Sequence, residues 1–131
     1  MKTIIAGGRD INNYAYVQAA MESCPWTPTE VVSGAARGID TLGEHWARVR
    51  KIPIKRFPAN WKQYNKAAGL FRNTEMAEYA DALVAIWDGK STGTADMIAK
   101  AHLLGLRIHI YRTDDIKVNK DNDQEGTSQS V

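Results

Sequence analysis

Three short segments of the chain combine glycine with arginine, hydroxyl or aspartate side chains, a mixture suited to holding an anion. The first is Gly7-Gly8-Arg9-Asp10. Glycine lets the backbone approach a ligand closely, and Arg9 offers a forked donor to phosphate or carboxylate. The second is Ser33-Gly34-Ala35-Ala36-Arg37-Gly38-Ile39-Asp40, and the third is Asp88-Gly89-Lys90-Ser91-Thr92-Gly93-Thr94. Both lead into helical periodicity, and at a helix start free N–H groups and the dipole favour a phosphate. Together the three predict an anion cradle built largely of backbone amides. Neither the phosphate-loop motif nor the G-x-G-x-x-G dinucleotide fingerprint is present, which disfavours an ordinary ATPase or dehydrogenase.

A fourth segment, Phe57 to Asn73, is long for a connection and rich in aromatic, amide and basic groups. Trp61 suits stacking on a base, and the alternative is a lid of packing aromatics. Arg72 is a candidate for anion binding or catalysis because no structural partner for it is evident in sequence. Asn73 reads as a ligand contact or as a cap or interface residue. Asp40, Asp88 and Asp96 are the acids placed near such a cradle. Any of them could take a ribose hydroxyl, Asp40 could equally brace the second turn, and Asp88 joins Arg72 as a catalytic candidate. His45, His102 and His109 read as packed or surface residues. No Ser/His/Asp set, carboxylate pair or metal-ligand spacing emerges, so neither a metal nor a definite cofactor is expected.

The elements that must position these turns alternate along the chain. Apolar runs at Lys2 to Ala6, Glu30 to Ser33, Ile54 to Phe57, Ala82 to Trp87 and Arg107 to Tyr111 predict five strands. Between them lie helical stripes. Tyr16, Val17, Ala20 and Met21 follow a cap at Asn12 or Asn13; Ile39, Leu42, Trp46 and Val49 form a second stripe. Met76, Ala77 and Ala80 mark a third, and Thr94, Met97, Ile98, Ala101 and Leu104 a fourth that Gly105 closes. Strands of nearly continuous apolar character suit a parallel sheet covered on both faces. The predicted fold is α/β, a Rossmann-like doubly wound sheet in three layers. Right-handed crossovers give the strand order 3-2-1-4-5, with a switch point between the first and fourth strands where ligands bind.

Length and composition fit one such unit. The chain has 131 residues, 44% hydrophobic and 24% charged, with a net charge of +2. From Thr113 onward the net charge is −3, which leaves +5 on the body, a modest bias toward anionic ligands. One domain is expected over residues 1–112, with a polar, disordered tail over 113–131. The opening apolar run is too short for a signal peptide, and no stretch reaches membrane-spanning length. The single Cys24 fits a reducing compartment, so a cytoplasmic protein without a membrane partner is expected.

In order and type, these residues closely resemble the SLOG superfamily and, within it, the YspA-like, YpsA-related branch of small domains found in bacteria and phages. The carriers are Ala6-Gly7-Gly8-Arg9, Ser33 to Asp40, Phe57-Pro58-Ala59-Asn60-Trp61, Lys66-Ala67-Ala68-Gly69, Arg72-Asn73 with Met76, Ala80-Asp81, and Trp87 to Ile98. The resemblance implies a Rossmann-like fold that binds a nucleotide, nucleotide sugar or related molecule, and related domains often pair, which implies a homodimer or larger homo-oligomer. In the phosphoribohydrolase branch, similar to the lysine decarboxylase-like enzymes, a Gly-Thr pair is followed three residues later by a catalytic Glu. Here Met97 follows Gly93-Thr94 at that place, and a methionine serves neither as acid nor as base. Ala35 stands where the YspA-like branch more often has glycine. The second turn is also similar to the Ser-Gly-x-Ala-Arg-Gly-Ile-Asp segment of the DNA-processing protein DprA, which implies single-stranded DNA as an alternative partner. The leading expectation is a domain that senses, sequesters or weakly processes a nucleotide-derived ligand. It uses Gly7, Gly8, Arg9, Ser33, Gly34, Ala35, Arg37, Gly38, Asp40, Trp61, Arg72, Asn73, Asp88, Gly89, Ser91, Thr92, Gly93 and Thr94. The enzymatic alternative is cleavage of an N-glycosidic or phosphate ester bond.

Overall fold

The inner strands are buried in succession, and the alternating direction of their side chains sorts the core into two halves. The computed structural model describes residues 1–114. Its strands are β1 (Lys2–Gly7), β2 (Glu30–Ser33), β3 (Ile54–Arg56), β4 (Ala82–Trp87) and β5 (Arg107–Arg112). All pair in parallel, in the order β3-β2-β1-β4-β5, as the right-handed crossover rule predicted. The helices are α1 (Tyr14–Ser23), α2 (Ile39–Val49), the short α3 (Trp61–Tyr64), α4 (Ala68–Tyr79) and α5 (Thr92–Leu103).

Successive strand residues point to opposite faces, so Ile4 and Ala6 face one way and Ile5 the other. On the first face Ile4, Ala6, Val32, Leu83 and Ala85 pack against Met76 and Ala77 of α4 and Met97 and Ala101 of α5. On the second, Ile5, Val31, Val84 and Ile86 pack against Val17, Ala20 and Met21 of α1 and Ile39, Trp46 and Ala47 of α2. The edge strands are less covered: β3 has no fully buried residue, nor has β5. Strand order reverses between β1 and β4, where Gly7 lies opposite Ile86. Their crossovers depart to opposite faces, so the carboxyl ends of these two strands open a crevice.

Local chemistry sets the helix starts. The Asn13 side chain accepts the Ala15 amide at 3.0 Å to open α1, and the Ser91 hydroxyl accepts the Thr94 amide at 3.4 Å to open α5. The connection after β3 is more ordered than its composition indicated. It contains α3 and a 3-10 turn (Asn65–Ala67), and α4 begins at Ala68, so Arg72 and Asn73 sit in the second turn of a helix. The body also reaches past Arg112: Thr113 is buried, and Asp114 takes the Arg112 guanidinium at 2.6 Å. The expectation of a disordered tail otherwise lies outside the described residues. No helix among the described residues is long and apolar enough to cross a membrane.

One buried polar cluster ties the second turn to the sheet. Glu44 of α2, 6% exposed, accepts the Ser33 hydroxyl at 2.6 Å and Arg56 Nε at 3.1 Å. Replacing Glu44 by alanine leaves the buried Ser33 hydroxyl without its acceptor. Urea denaturation of Glu44→Ala is expected to show a loss of about 1–3 kcal/mol; an unchanged midpoint would mean that the cluster is not a tie.

Candidate functional site

The crevice between the carboxyl ends of β1 and β4 widens into a cleft of about 790 Å³. Its floor is apolar: Ala6 at the end of β1, Met76 of α4 and Met97 of α5. Met97 is 1% exposed and stands where the resemblance placed a catalytic Glu, so this position presents a thioether to the cavity. One wall is the third turn and the start of α5, from Asp88 to Thr94 without Gly89. The facing wall comes from the first turn (Gly7, Gly8, Arg9, Asp10, Ile11), Ala36 and Asp40 of the second, and Trp61, Lys66, Gly69, Leu70, Arg72 and Asn73.

The three turns do meet at one rim, but few of their amides face it unpaired. Ser33 Oγ accepts the Ala35 amide at 3.1 Å, and Asp40 Oδ2 accepts the Ala36 amide at 3.2 Å. Ile39 N–H donates to the Gly8 carbonyl at 3.2 Å. In the third turn Asp88 Oδ1 accepts the amides of Lys90 and Ser91, both at 2.8 Å. Buried amides require partners, and this sequence places its own acceptors two to four residues away. Thr92 and Gly93 keep free amides at the start of α5, where no described residue accepts from them. The cradle therefore relies on cationic side chains more than on backbone.

Four cations line it: Arg9, Lys66, Arg72 and Lys90. Arg72 is 8% exposed; its Nε donates to Asn73 Oδ1 at 3.1 Å, and its Nη1 donates to the Gly34 carbonyl. Asn73 in turn donates to the Gly93 carbonyl at 3.2 Å and to Asp96 at 3.0 Å, which connects Arg72 to the start of α5. Arg9 stands over the Trp61 ring, 5.3 Å from its centroid. Trp61 is 48% exposed, so one large aromatic face borders the cleft.

Two of the three cleft carboxylates, Asp40 and Asp88, behave differently. Burial pushes Asp40 up to about 6, against the opposing pull of the Ala36 amide and the Arg72 charge. Asp88 is held below its ordinary value, chiefly by the Ser91 amide and then by that of Lys90. Burial lowers Arg72, and Asp40 partly restores it.

This geometry revises several expectations. Ser33, Gly34, Ala35, Arg37, Gly38 and Gly89 do not line the cleft. Ser33 serves Glu44, and the Arg37 guanidinium turns outward to Asp10 at 3.2 Å, both ends largely exposed. Gly34 is needed for close approach: a Cβ there would lie 2.6 Å from Arg72 Nη1 and 2.7 Å from Asp40 Oδ2. Ala35 adopts φ 60°, the left-handed region that favours glycine. Asp88 is a turn brace whose bound amides keep it ionised, a poor proton donor. Arg72 does have structural partners, Gly34 and Asn73, although its far nitrogen still faces the cleft. Gly7, Gly8, Arg9, Asp40, Trp61, Arg72, Asn73, Asp88, Ser91, Thr92, Gly93 and Thr94 are brought together as expected. Met76 and Met97 were missed as cleft residues because their apolar periodicity reads as core, and Ile11 and Leu70 because an aliphatic residue outside a stripe carries no ligand signal. Lys66 and Gly69 carried a signal, the Lys-Ala-Ala-Gly run of the resemblance.

A family model described as YspA, cpYpsA-related SLOG family matches residues 1–64, which span the first two turns and Trp61. The chain belongs to this SLOG family. Among curated proteins it is similar to the Gene 61 protein of Mycobacterium phage D29, 34% identical over 84 residues that cover 60% of this chain and 67% of the relative. Membership in the SLOG family is consistent with nucleotide-related binding or processing. In this SLOG domain the family match covers the first two turns and Trp61 on one wall of the cleft, while Lys66 and the α4 residues of that wall, and the whole facing wall at the start of α5, lie beyond it.

Proposed function

We propose that this SLOG domain binds a nucleotide or nucleotide-derived small molecule in the cleft at the carboxyl edge of its sheet. The observation that carries the reading is the convergence of Arg9, Lys66, Arg72 and Lys90 on one cavity that also has an exposed tryptophan face and an apolar floor. Cations answer phosphate, Trp61 offers a surface for a base, and Met76 and Met97 suit the less polar side of a ribose or base. Asp88 and the Ser91 and Thr94 hydroxyls shape the wall that faces the ligand. A homodimer is part of the same proposal, with light scattering as its check.

Thermal-shift measurements with AMP, ADP, ADP-ribose, NAD and the corresponding nucleoside test the reading. A true ligand at 100 times its dissociation constant adds about 2.7 kcal/mol, or roughly 10 °C for a domain of this size. The nucleoside is expected to give a smaller shift than its phosphorylated forms. Equal silence from all of them would remove the reading.

A hydrolytic reading is favoured by one observation, the buried cleft carboxyl of Asp40 held near 6. A group with that value donates and accepts a proton near neutral pH. Product analysis by chromatography after prolonged incubation with AMP separates the two: unchanged AMP leaves a binding protein.

A further inference from the structure

One end of the cleft carries more positive charge than its surroundings answer. Arg72 is 8% exposed, with two of its three nitrogens bonded, to Asn73 and to Gly34. Its Nη2 has no acceptor among the described residues and faces Gly69 on the cleft wall, where a Cβ would lie 3.6 Å away. Arg9 makes no hydrogen bond or ion pair among the described residues; the Trp61 ring is what holds it. The two guanidinium groups are near enough that the charge of Arg9 disfavours that of Arg72. A mutually repelling cationic pair with open donors suits an anion.

The same end holds one buried carboxyl group, Asp40, 6% exposed and on the cleft wall. Arg72 faces it from α4, Arg9 from the first turn and the Ala36 amide from the second. Glu44, one helical turn further along α2, adds a repelling charge, itself paired with Arg56 of β3 and Arg48 of α2. Arg37, the remaining charge of the second turn, is directed to Asp10.

We propose that Arg9 and Arg72 form an anion subsite for a phosphoryl-like dianion, and that the arriving anion draws a proton from solvent onto Asp40. The inference rests on the nucleotide reading for its biological ligand, though the subsite itself is independent of it. A dianion beside an ionised carboxylate in a poorly hydrated pocket is repelled. A neutral carboxyl removes that repulsion and can donate to the anion instead. Linkage then requires that protonation strengthen anion binding by the factor by which the anion strengthens protonation.

Sulfate and ADP-ribose are the probes, because a phosphate monoester titrates near pH 6 and would blur the result. At constant ionic strength, sulfate affinity is expected to rise about tenfold as pH falls from about 8 to about 6, then level off as the free carboxyl becomes neutral. Calorimetry in two buffers of different ionisation heat should find uptake of roughly half a proton per sulfate near neutral pH, the slope that a tenfold change over about two pH units requires. Asp40→Asn should flatten the profile and abolish the uptake. A pH-independent affinity, no proton uptake by the unaltered protein, or no sulfate binding would each overturn the proposal. Uptake with sulfate but no response to ADP-ribose or any nucleotide keeps the subsite and removes the nucleotide reading. ADP-ribose binding without uptake does the reverse.

Discussion

Gly38→Val is expected to destabilise the domain by about 4 kcal/mol or more and to abolish any ligand response in the cleft, although Gly38 does not line it. Gly38 has φ 78° and ψ −130°, a conformation that residues with a side chain rarely adopt. A Cβ at this position would also lie 2.5 Å from the Arg9 carbonyl oxygen and 2.6 Å from the Arg9 carbonyl carbon. The first turn rests on the second at this contact, where Ile39 N–H donates to the Gly8 carbonyl. Any side chain here must push Gly8 and Arg9 outward, which takes the Arg9 guanidinium off Trp61. Urea denaturation gives the stability change, and a thermal-shift titration gives the ligand response. A variant that unfolds at the parent midpoint would show that the two turns do not bear on each other.

Arg72→Met has the second large expected effect. Methionine fills similar space but donates no hydrogen bond, so Asn73 Oδ1 and the Gly34 carbonyl lose a charged partner. Removing one member of a buried charged network costs roughly 2–5 kcal/mol, and the anion subsite loses its buried cation. Ligand affinity is expected to fall by about a hundredfold or more, by calorimetry. The pH dependence of stability should change as well. Asp40 titrates near 6 in the folded protein against an ordinary value of 3.8, so the folded state holds its proton more tightly than the unfolded chain does. That contribution to stability is complete below about pH 4 and is lost as pH rises through about 6. Without the Arg72 charge the carboxyl is driven higher still, and the loss extends further toward neutral pH. Arg72→Lys restores the charge without the fork, so it should recover the pH profile better than the affinity. An Arg72→Met protein that binds as the parent does would place the subsite elsewhere.

Much of the fold was legible because burial leaves a local signature. β4, Ala82–Trp87, has five buried residues in succession and reads in sequence as an unbroken apolar run. α2 shows Ile39, Leu42, Trp46 and Val49 at helical spacing, three of them in or against the core. The strand order followed from the handedness of crossovers and not from any one residue. The site was legible to a coarser degree. That the Gly-rich turns gather at one rim is a property of connections leaving the carboxyl ends of parallel strands. Which turn residues face the cleft is decided within a few ångströms, and Ser33, Gly34, Ala35, Arg37, Gly38 and Gly89 lie behind its lining. Ser33, Asp40 and Asp88 each satisfy amides two to four residues away, a pattern readable as side-chain turn chemistry that competes with an anion for the same N–H groups.

The sequence by itself therefore determined the alternation of strand and helix, the parallel sheet and the edge at which chemistry gathers, because periodic burial and chain handedness act over neighbouring residues. Tertiary structure alone decided that Arg72 reaches Gly34, 38 residues earlier in the chain, that Asn73 joins it to the start of α5, and that Gly38 supports the first turn. Those pairings join segments far apart in sequence, and no local pattern encodes a contact whose geometry exists only once both walls of the cleft are packed on one sheet.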